Sequence, residues 1–404
     1  MLPATRRGSL LIVEWNSAIS NNSDLSTALD SCIETLEISS EADPNVIFVF
    51  ASPQYGQDAK KIGPVLRDRF PEVNVVGCTG GGVVGGGYEV EGRPALSLTA
   101  VSMPGVDVNT FHLERAEVSG VQSTTEGWME RLSLDEAPRV VVLFADPFSA
   151  GLRSLVVGLE NSFPSTTIVG GLASGGREAG DHIFHVDGRT VDNGVVGVCF
   201  SGNIAVDTIV AQGCRPIGPP CFVTAVDERR LLGLDGRPAL DVLEEVCRAL
   251  DPTDLALARR ALLVGVAMSK ARESYASGDF LIRELLGAIP DDRALVVAAQ
   301  LTVHDILQFH VRDARAAWGE LDGLLSRFSE GERAPAGALM FSCVGRGEAL
   351  FGEPGHDSKV IAQHLGKLPI GGFFGNGELG PVGGQTWLHG YTTVLAFFRT
   401  ASDA

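Results

Sequence analysis

Long apolar runs, paired cysteines and an excess of basic charge are all missing from this chain, and each absence removes a class of function. No apolar stretch among the 404 residues reaches the length that a membrane-spanning helix needs. Met1-Leu-Pro-Ala-Thr-Arg-Arg7 leads into a strand-like segment, Ser9 to Trp15, with no small-residue cleavage site behind it, so no signal peptide is read there. Seven cysteines are scattered without a Cys-x-x-Cys pair, which suits buried thiols in a reducing compartment. Lys and Arg total 32 against 50 Asp and Glu, a formal net charge of −18. Such a balance argues against nucleic-acid or anionic-membrane partners, whose binding depends on clustered basic side chains. The expectation is a cytoplasmic protein.

Motifs for metals and nucleotides are scarce too. The sequence holds no H-E-x-x-H, EF-hand loop or Walker A pattern. His182-Ile-Phe-His185 has the wrong period for one ion, because positions i and i+3 of a strand face opposite sides. Gly80-Gly-Gly82-Val-Val-Gly85 and Gly375-Asn-Gly377-Glu-Leu-Gly380 match G-x-G-x-x-G, yet neither opens the helix that a dinucleotide pyrophosphate needs. No cofactor and no metal are expected.

What the chain does have is repetition. Val46-Ile-Phe-Val-Phe-Ala-Ser-Pro53 reappears 94 residues later as Val140-Val-Val-Leu-Phe-Ala-Asp-Pro147. Val75-Val-Gly-Cys78 reappears 93 residues later as Ile168-Val-Gly-Gly171, and two landmarks in near-constant register indicate duplication. A looser third copy runs from Ala338-Leu-Met-Phe-Ser-Cys343 to Pro369-Ile-Gly-Gly372. Apolar content of 45% and charged content of 20% describe a globular chain, and its length allows two or three domains.

Local patterns predict a first unit of strand (Leu10–Glu14), helix (Asp24–Leu36), strand (Val46–Ala51), helix (Gln57–Arg69) and strand (Val73–Cys78), then extended runs at Pro94–Ser102 and Val106–Leu113. The second repeats this with helices at Thr124–Leu132 and Ala150–Glu160 around strands at Arg139–Ala145 and Thr167–Gly171, and with runs at His182–Val186, Gly194–Phe200 and Ile204–Ala211. Proline and glycine in Gly213-Cys-Arg-Pro-Ile-Gly-Pro-Pro220 are read as a boundary. Beyond it come a helix at Pro238–Leu250, extended runs at Leu262–Ala267, Phe280–Leu286, Ala294–Leu301 and Asp305–Val311, a helix at Arg312–Phe328 and a last strand at Tyr391–Arg399. The fold class expected is mixed α/β (α+β): internally duplicated, partly antiparallel sheets covered by helices, in two intimately associated domains.

The densest chemistry is C-terminal. Ser342-Cys343-Val344-Gly345-Arg346-Gly347 ends an apolar strand in a turn, Gly377-Glu378 lies in the next glycine loop, and His389 precedes the last strand. If the strand end and the loop face one cleft, Arg346 can take a carboxylate through its fork and Glu378 an ammonium, a clamp for an amino acid. Mutual pairing of Arg346 with Glu378 is the plain structural alternative. Cys343 is a candidate nucleophile with His389 as base, or a buried thiol; Cys78, with Thr79 beside it, occupies the comparable strand end. Exposed edge strands permit a homo-oligomer without requiring one.

Val169-Gly-Gly-Leu-Ala-Ser174, Leu234-Asp-Gly-Arg-Pro-Ala239, Phe341-Ser-Cys-Val-Gly-Arg-Gly347 and Gly371-Gly-Phe-Phe-Gly-Asn-Gly-Glu378 together resemble the FIST family, named for F-box and intracellular signal transduction. The resemblance runs in order over almost the whole chain. It implies a FIST N-terminal-like domain at 1–215, made of repeats at about 1–118 and 119–215, and a FIST C-terminal-like domain at 216–404. It further implies a sensory module for a small ligand such as an amino acid, with Cys343, Arg346, Gly347, Gly377 and Glu378 at the matching motif positions. The two domains leave no room for an F-box or signalling domain, so a separate partner protein is expected. The competing readings are a scaffold with structural glycine loops and a cysteine-dependent hydrolase or transferase.

Overall fold

A computed structural model describes residues 13–36, 44–119, 124–149, 151–331 and 334–401. The start of the strand expected at Leu10–Glu14 and the first residue of the helix expected at Ala150–Glu160 lie outside them. The first unit runs β1 (Glu14–Ser20), α1 (Leu25–Leu36), β2 (Val46–Ala51), a 3-10 stretch (Pro53–Lys61) into α2 (Ile62–Arg69), β3 (Asn74–Thr79), the hairpin β4 (Gly82–Gly85) and β5 (Tyr88–Glu91), then β6 (Leu96–Ser102). The second runs β7 (Val106–Leu113), α3 (Arg115–Ser119), α4 (Thr125–Arg131), β8 (Val140–Ala145), α5 (Leu152–Ser162), β9 (Thr167–Leu172), the hairpin β10 (Phe184–Val186) and β11 (Arg189–Val191), then β12 (Val195–Gly202).

The third unit opens with β13 (Ala205–Gln212) and is interrupted at once. The insert comprises β14 (Cys214–Asp227), β15 (Arg230–Leu234), β16 (Arg237–Pro238), α6 (Ala239–Ala249), α7 (Pro252–Arg260), β17 (Leu262–Ala267), β18 (Phe280–Ile289), β19 (Ala294–Val297) and β20 (Ile306–Arg312). The unit then resumes with α8 (Ala314–Ser329), β21 (Gly337–Cys343), α9 (Gly347–Phe351), α10 (His356–Leu365), β22 (Ile370–Gly375), the hairpin β23 (Glu378–Val382) and β24 (Gln385–His389), and β25 (Thr392–Arg399). Within the insert, β14 pairs with both β20 and β15, which closes its sheet into a small barrel over the Val223, Leu231 and Phe309 core.

The three units share one topology. Their strand orders are β1-β6-β2-β3, β7-β12-β8-β9 and β13-β25-β21-β22, and in each the last two strands are parallel. Each sheet is completed by a hairpin borrowed from another unit: β10-β11 on β3, β23-β24 on β9, and β4-β5 on β22. The exchange is cyclic, so the units form a closed ring rather than a string of beads. Parallel strands of Val and Phe read as continuous apolar runs because both faces are covered. One face of each sheet meets the ring's centre, where Phe50, Phe144 and Phe341 hold equivalent register positions and Phe373 lies within 5.9 Å, ring to ring, of all three. The other faces are roofed by α1 and α2, by α4 and α5, and by α8 and α10.

Most expected elements form within a residue or two of their predicted bounds. Four differ: β1 lies at Glu14–Ser20 where Leu10–Glu14 is expected, β18 runs on to Ile289, β19 stops at Val297, and the segment read as a boundary is largely strand. Gly213-Cys-Arg-Pro-Ile-Gly-Pro-Pro220, read as a break, runs inside β14, because Pro219 and Pro220 sit in the register shift between Ile217 and Cys221, where the ladder needs no N–H donor.

Glycine sets how closely the parallel strands approach. Gly77, Gly170 and Gly372 stand opposite Val49, Leu143 and Met340 in the three ladders. A Cβ on them would meet the facing carbonyl oxygen at 1.7, 1.9 and 1.9 Å. Gly170→Ala therefore forces β8 and β9 apart at φ 143°, and a loss of about 4 kcal/mol or outright misfolding is expected by urea denaturation. Gly383→Ala, in open space at φ 63°, should cost only about 1 kcal/mol.

Candidate functional site

Where β21 ends, the chain turns sharply: the Arg346 N–H donates to the Cys343 carbonyl at 2.7 Å, and α9 starts at Gly347. The Arg346 guanidinium is 1% exposed. Its Nε and Nη2 both bond Asp357 in the first turn of α10, and Nη2 also reaches the Ala317 carbonyl at 3.4 Å. The fork expected to face Glu378 or a ligand is thus already filled by a carboxylate 11 residues on, and Nη1 alone is left without a protein partner. The same loops receive two glutamates from the first unit's hairpin: Glu89 accepts the Ser358 N–H at 2.6 Å and Glu91 the Glu348 N–H at 2.9 Å. Both sit at helix starts, where a carboxylate meets unsatisfied N–H groups. Gly347 stays bare because a Cβ there would lie 2.2 Å from Glu91 Oε1.

Glu378 opens β23, paired across the ladder with His389 and with Gly171. Its carboxyl is wholly buried; Oε2 accepts the Thr392 N–H at 3.3 Å, the Cys343 thiol lies beside it, and Oε1 has no protein partner. Burial pushes its pKa well above the usual carboxylate value, which favours the protonated form. Burial likewise pushes the Cys343 thiol up to about 12. His389 Nε2 donates to the Gly380 carbonyl at 3.0 Å, and desolvation brings its pKa down to about 4. A thiol held so firmly protonated is the reverse of an activated nucleophile.

Of the remaining sequence candidates, Gly377 accepts the Leu172 N–H at 2.8 Å through its carbonyl. Cys78 packs in the ring's central core. Thr79 ties β3 to the second unit's hairpin by accepting the Ile183 N–H through Oγ1 at 3.1 Å. The structure therefore brings Cys343 and Glu378 together and leaves Cys78 and Thr79 with packing and tethering roles.

Sequence reading missed the rest of the nest. Around the junction of β13 with the insert, Gly213 would place a Cβ 3.5 Å from Arg346 Nη1, and Gly345 one 3.7 Å from Arg312 Nη2. The Arg312 guanidinium lies 5.8 Å from the Tyr391 ring centre, and Tyr391, at φ 60°, donates to Glu284 at 2.8 Å. Glu320, desolvated near Arg346, has its pKa raised to about 7. Among the described residues, seven of the fifteen buried polar atoms without a protein partner belong to this region: Arg346 Nη1, Arg312 Nη2, Gln212 Oε1, Glu378 Oε1, His389 Nδ1, Ser342 Oγ and Thr393 Oγ1. Buried polar atoms are otherwise paired as a rule, and such a gathering marks a place for water or a ligand. The chemistry on offer is two guanidinium N–H groups, a buried carboxyl and hydroxyls, able to meet a carboxylate. Among the described residues, no three His, Cys, Asp or Glu side chains come together as metal ligands, and no helix is long and apolar enough to cross a membrane.

The FIST N domain profile matches residues 45–237 and the FIST C domain profile residues 239–381. An uncharacterized protein of Mycobacterium tuberculosis is 38% identical over 88% of this chain and 91% of its own length. One from Mycobacterium bovis is 34% identical over 90% and 92%. An F-box/LRR-repeat protein of Arabidopsis thaliana is 25% identical over 74% of this chain and 66% of its own. Among solved structures, a cyanuric acid hydrolase from A. caulinodans covers 97% of this chain and 99% of its own at a TM-score of 0.36 and 12% identity, too loose a likeness to carry an argument.

With its pKa at about 12, Cys343 should react with iodoacetamide at pH 7.5 at least 100-fold more slowly than a free thiol, by mass spectrometry of the labelled peptide. Labelling at the free-thiol rate would contradict the burial. Glu89 makes a second test: burial beside Asp357 raises its pKa from 4.5 to about 7. The folded state then holds its proton more tightly than the unfolded chain. That contribution is complete below pH 4.5 and is lost as pH rises through about 7. Buried His185, His310 and His389, each brought down to about 4, act in the opposite sense, so the test is differential. The melting temperature of Glu89→Gln should gain on the parent by several degrees between pH 5 and pH 7.5 in calorimetry; an unchanged difference would return Glu89 to an ordinary carboxylate.

Proposed function

The chain belongs to the FIST family, whose N and C domains together span most of it, and on that premise we propose that it is a cytoplasmic sensor for a small carboxylate, an amino acid above all. FIST domains are themselves proposed sensory and signalling domains. The observation that carries the ligand is the gathering of partnerless polar atoms between the ring and its insert. A ligand carboxylate would take the Arg346 Nη1 and Arg312 Nη2 donors, and its ammonium the free Glu378 Oε1. That last contact requires Glu378 to give up its proton, since a cation beside it restores the charged form. Walls contributed by both domains would let the ligand bias their packing, and a separate partner protein would read the change.

Arg346 is a poor probe of this reading. Its removal strands Asp357 as an uncompensated buried charge, at a cost of about 3–5 kcal/mol. The test therefore uses Glu378→Gln and Arg312→Gln with the twenty amino acids and short dicarboxylates. A ligand at a hundredfold Kd should add roughly 2.7 kcal/mol to stability in a thermal-shift assay. Each variant should lose at least tenfold in affinity by calorimetry. The parent's binding heat should differ between phosphate and Tris buffers, because a proton leaves Glu378. Silence across the panel, or unchanged affinity in both variants, would overturn the reading in favour of a scaffold.

A further inference from the structure

A second concavity lies beside the β23-β24 hairpin, and its Arg283 also feels the charge of Glu378. It measures about 330 Å³, between α5 of the second unit, β18 of the insert and β24 of the third unit. Its floor and lips are apolar: Val156 and Leu379 are buried, Trp387 is half-buried, and Val157 and Leu388 are exposed at 45% and 36%. Two guanidinium groups stand in this apolar setting, Arg153 from α5 and Arg283 from β18. Neither forms an ion pair among the described residues. Arg283 is anchored by donating to the Ile282 carbonyl at 2.8 Å and the Leu388 carbonyl at 3.0 Å, which fixes its orientation without neutralising it. The carboxylate in the lining, Glu160, accepts the Thr386 N–H. Arg283 is held below its ordinary value by desolvation first and then by Arg153, with Glu378 acting in the opposite sense.

Like charges facing each other over an apolar floor repel until an anion joins them, and the exposed Val157 and Leu388 gain only from an apolar occupant. We propose that this cleft binds a carboxylate carried on an apolar body, the head between Arg153 and Arg283 and the tail over Val157, Leu388 and Trp387. At the volume share of a liquid water molecule, the cavity takes about ten non-hydrogen atoms, the size of a medium-chain fatty acid. Because its three walls come from separate parts of the fold, occupancy would pin the insert and the swapped hairpin onto α5.

Octanoate, with ten non-hydrogen atoms, is the probe. Calorimetry should show one saturable site per chain, and tryptophan emission should shift as the tail covers Trp387. Acetate should bind at least 100-fold more weakly, since each buried methylene is worth about 0.8 kcal/mol, and octylamine should not bind. Arg153→Gln, at an exposed position that leaves folding intact, should lower octanoate affinity at least tenfold. Trp387→Phe should abolish the emission shift while calorimetry still reports binding. Failure of octanoate to saturate, equal binding of octylamine, or unchanged affinity in Arg153→Gln would each overturn the proposal.

Discussion

The fold depends on one constraint: each sheet lends its own hairpin to another unit and borrows a third unit's to cover its edge. An open β-sheet ends in a row of unpaired N–H and C=O groups that invites aggregation. Here the edge strands β3, β9 and β22 are covered by β10, β23 and β4, so the loan passes round the ring and returns. Three backbone hydrogen bonds repeat the cycle at the centre. The Gly81 N–H donates to the Phe374 carbonyl at 3.1 Å, Ser174 to Thr79 at 3.3 Å and Asn376 to Leu172 at 3.0 Å. The Ser174 hydroxyl reinforces the first, accepting from Gly81 N–H at 2.7 Å while donating to Phe374. No unit can leave without opening two edges, so the duplicated landmarks are one closed object and not independent domains.

A ring of equivalent units makes its departures from equivalence informative. Ser52, Asp146 and Cys343 hold equivalent register positions, each three residues beyond Val49, Leu143 or Met340 at the end of the parallel strand, and Ala95, Gly194 and Tyr391 precede the strands that return beside them. In the first unit the tie is plain: Ser52 and Ala95 exchange two hydrogen bonds at 2.8 and 2.9 Å. In the second, Asp146 is buried, accepting from Ser149 at 2.8 Å and facing His182 at 3.3 Å, and it is fully served. In the third the residue is a thiol, its partner is Tyr391 at φ 60°, and the insert delivers Arg312 next to it. The third unit alone is split by the insert, and among the described residues seven of the fifteen buried polar atoms without protein partners belong to residues around that split.

The repeats were legible in the sequence because parallel strands buried on both faces must be apolar throughout, and their glycines cannot vary without a clash. The borrowed hairpins were not. Gly80 to Gly92 reads as a bend, since the apolar face of a four-residue strand such as Gly82–Gly85 is too short for a period to emerge. The site was half legible. Cys343 and Glu378 sit in recognisable turns and do meet, but Asp357 lies in an unremarkable amphipathic stretch, and nothing local says that it claims the Arg346 fork. Arg312 and Gln212 are ordinary strand-end residues, brought to the nest by long-range pairing of β14 with β20 and of β13 with β25. Pairwise capture of a carboxylate by one arginine was the simplest chemistry a sequence could suggest; in the fold the Arg346 fork is taken by Asp357.

That division bears on selectivity. A buried donor without a partner costs about 1–3 kcal/mol, and the region around Arg346 and Glu378 carries several polar atoms without a protein partner. A ligand whose carboxylate meets both guanidinium N–H groups recovers that cost, whereas an analogue lacking the carboxylate excludes water from the donors and leaves them unmet. The discrimination per group is then the full desolvation penalty, not the modest net worth of an exposed hydrogen bond. On the proposed reading Glu378 sharpens it further, since burial raises its pKa and a ligand cation beside it would favour the charged form. Under the proposed function the combination would favour a molecule bearing both charges at once, through groups held by a ring whose backbone hydrogen bonds close on themselves.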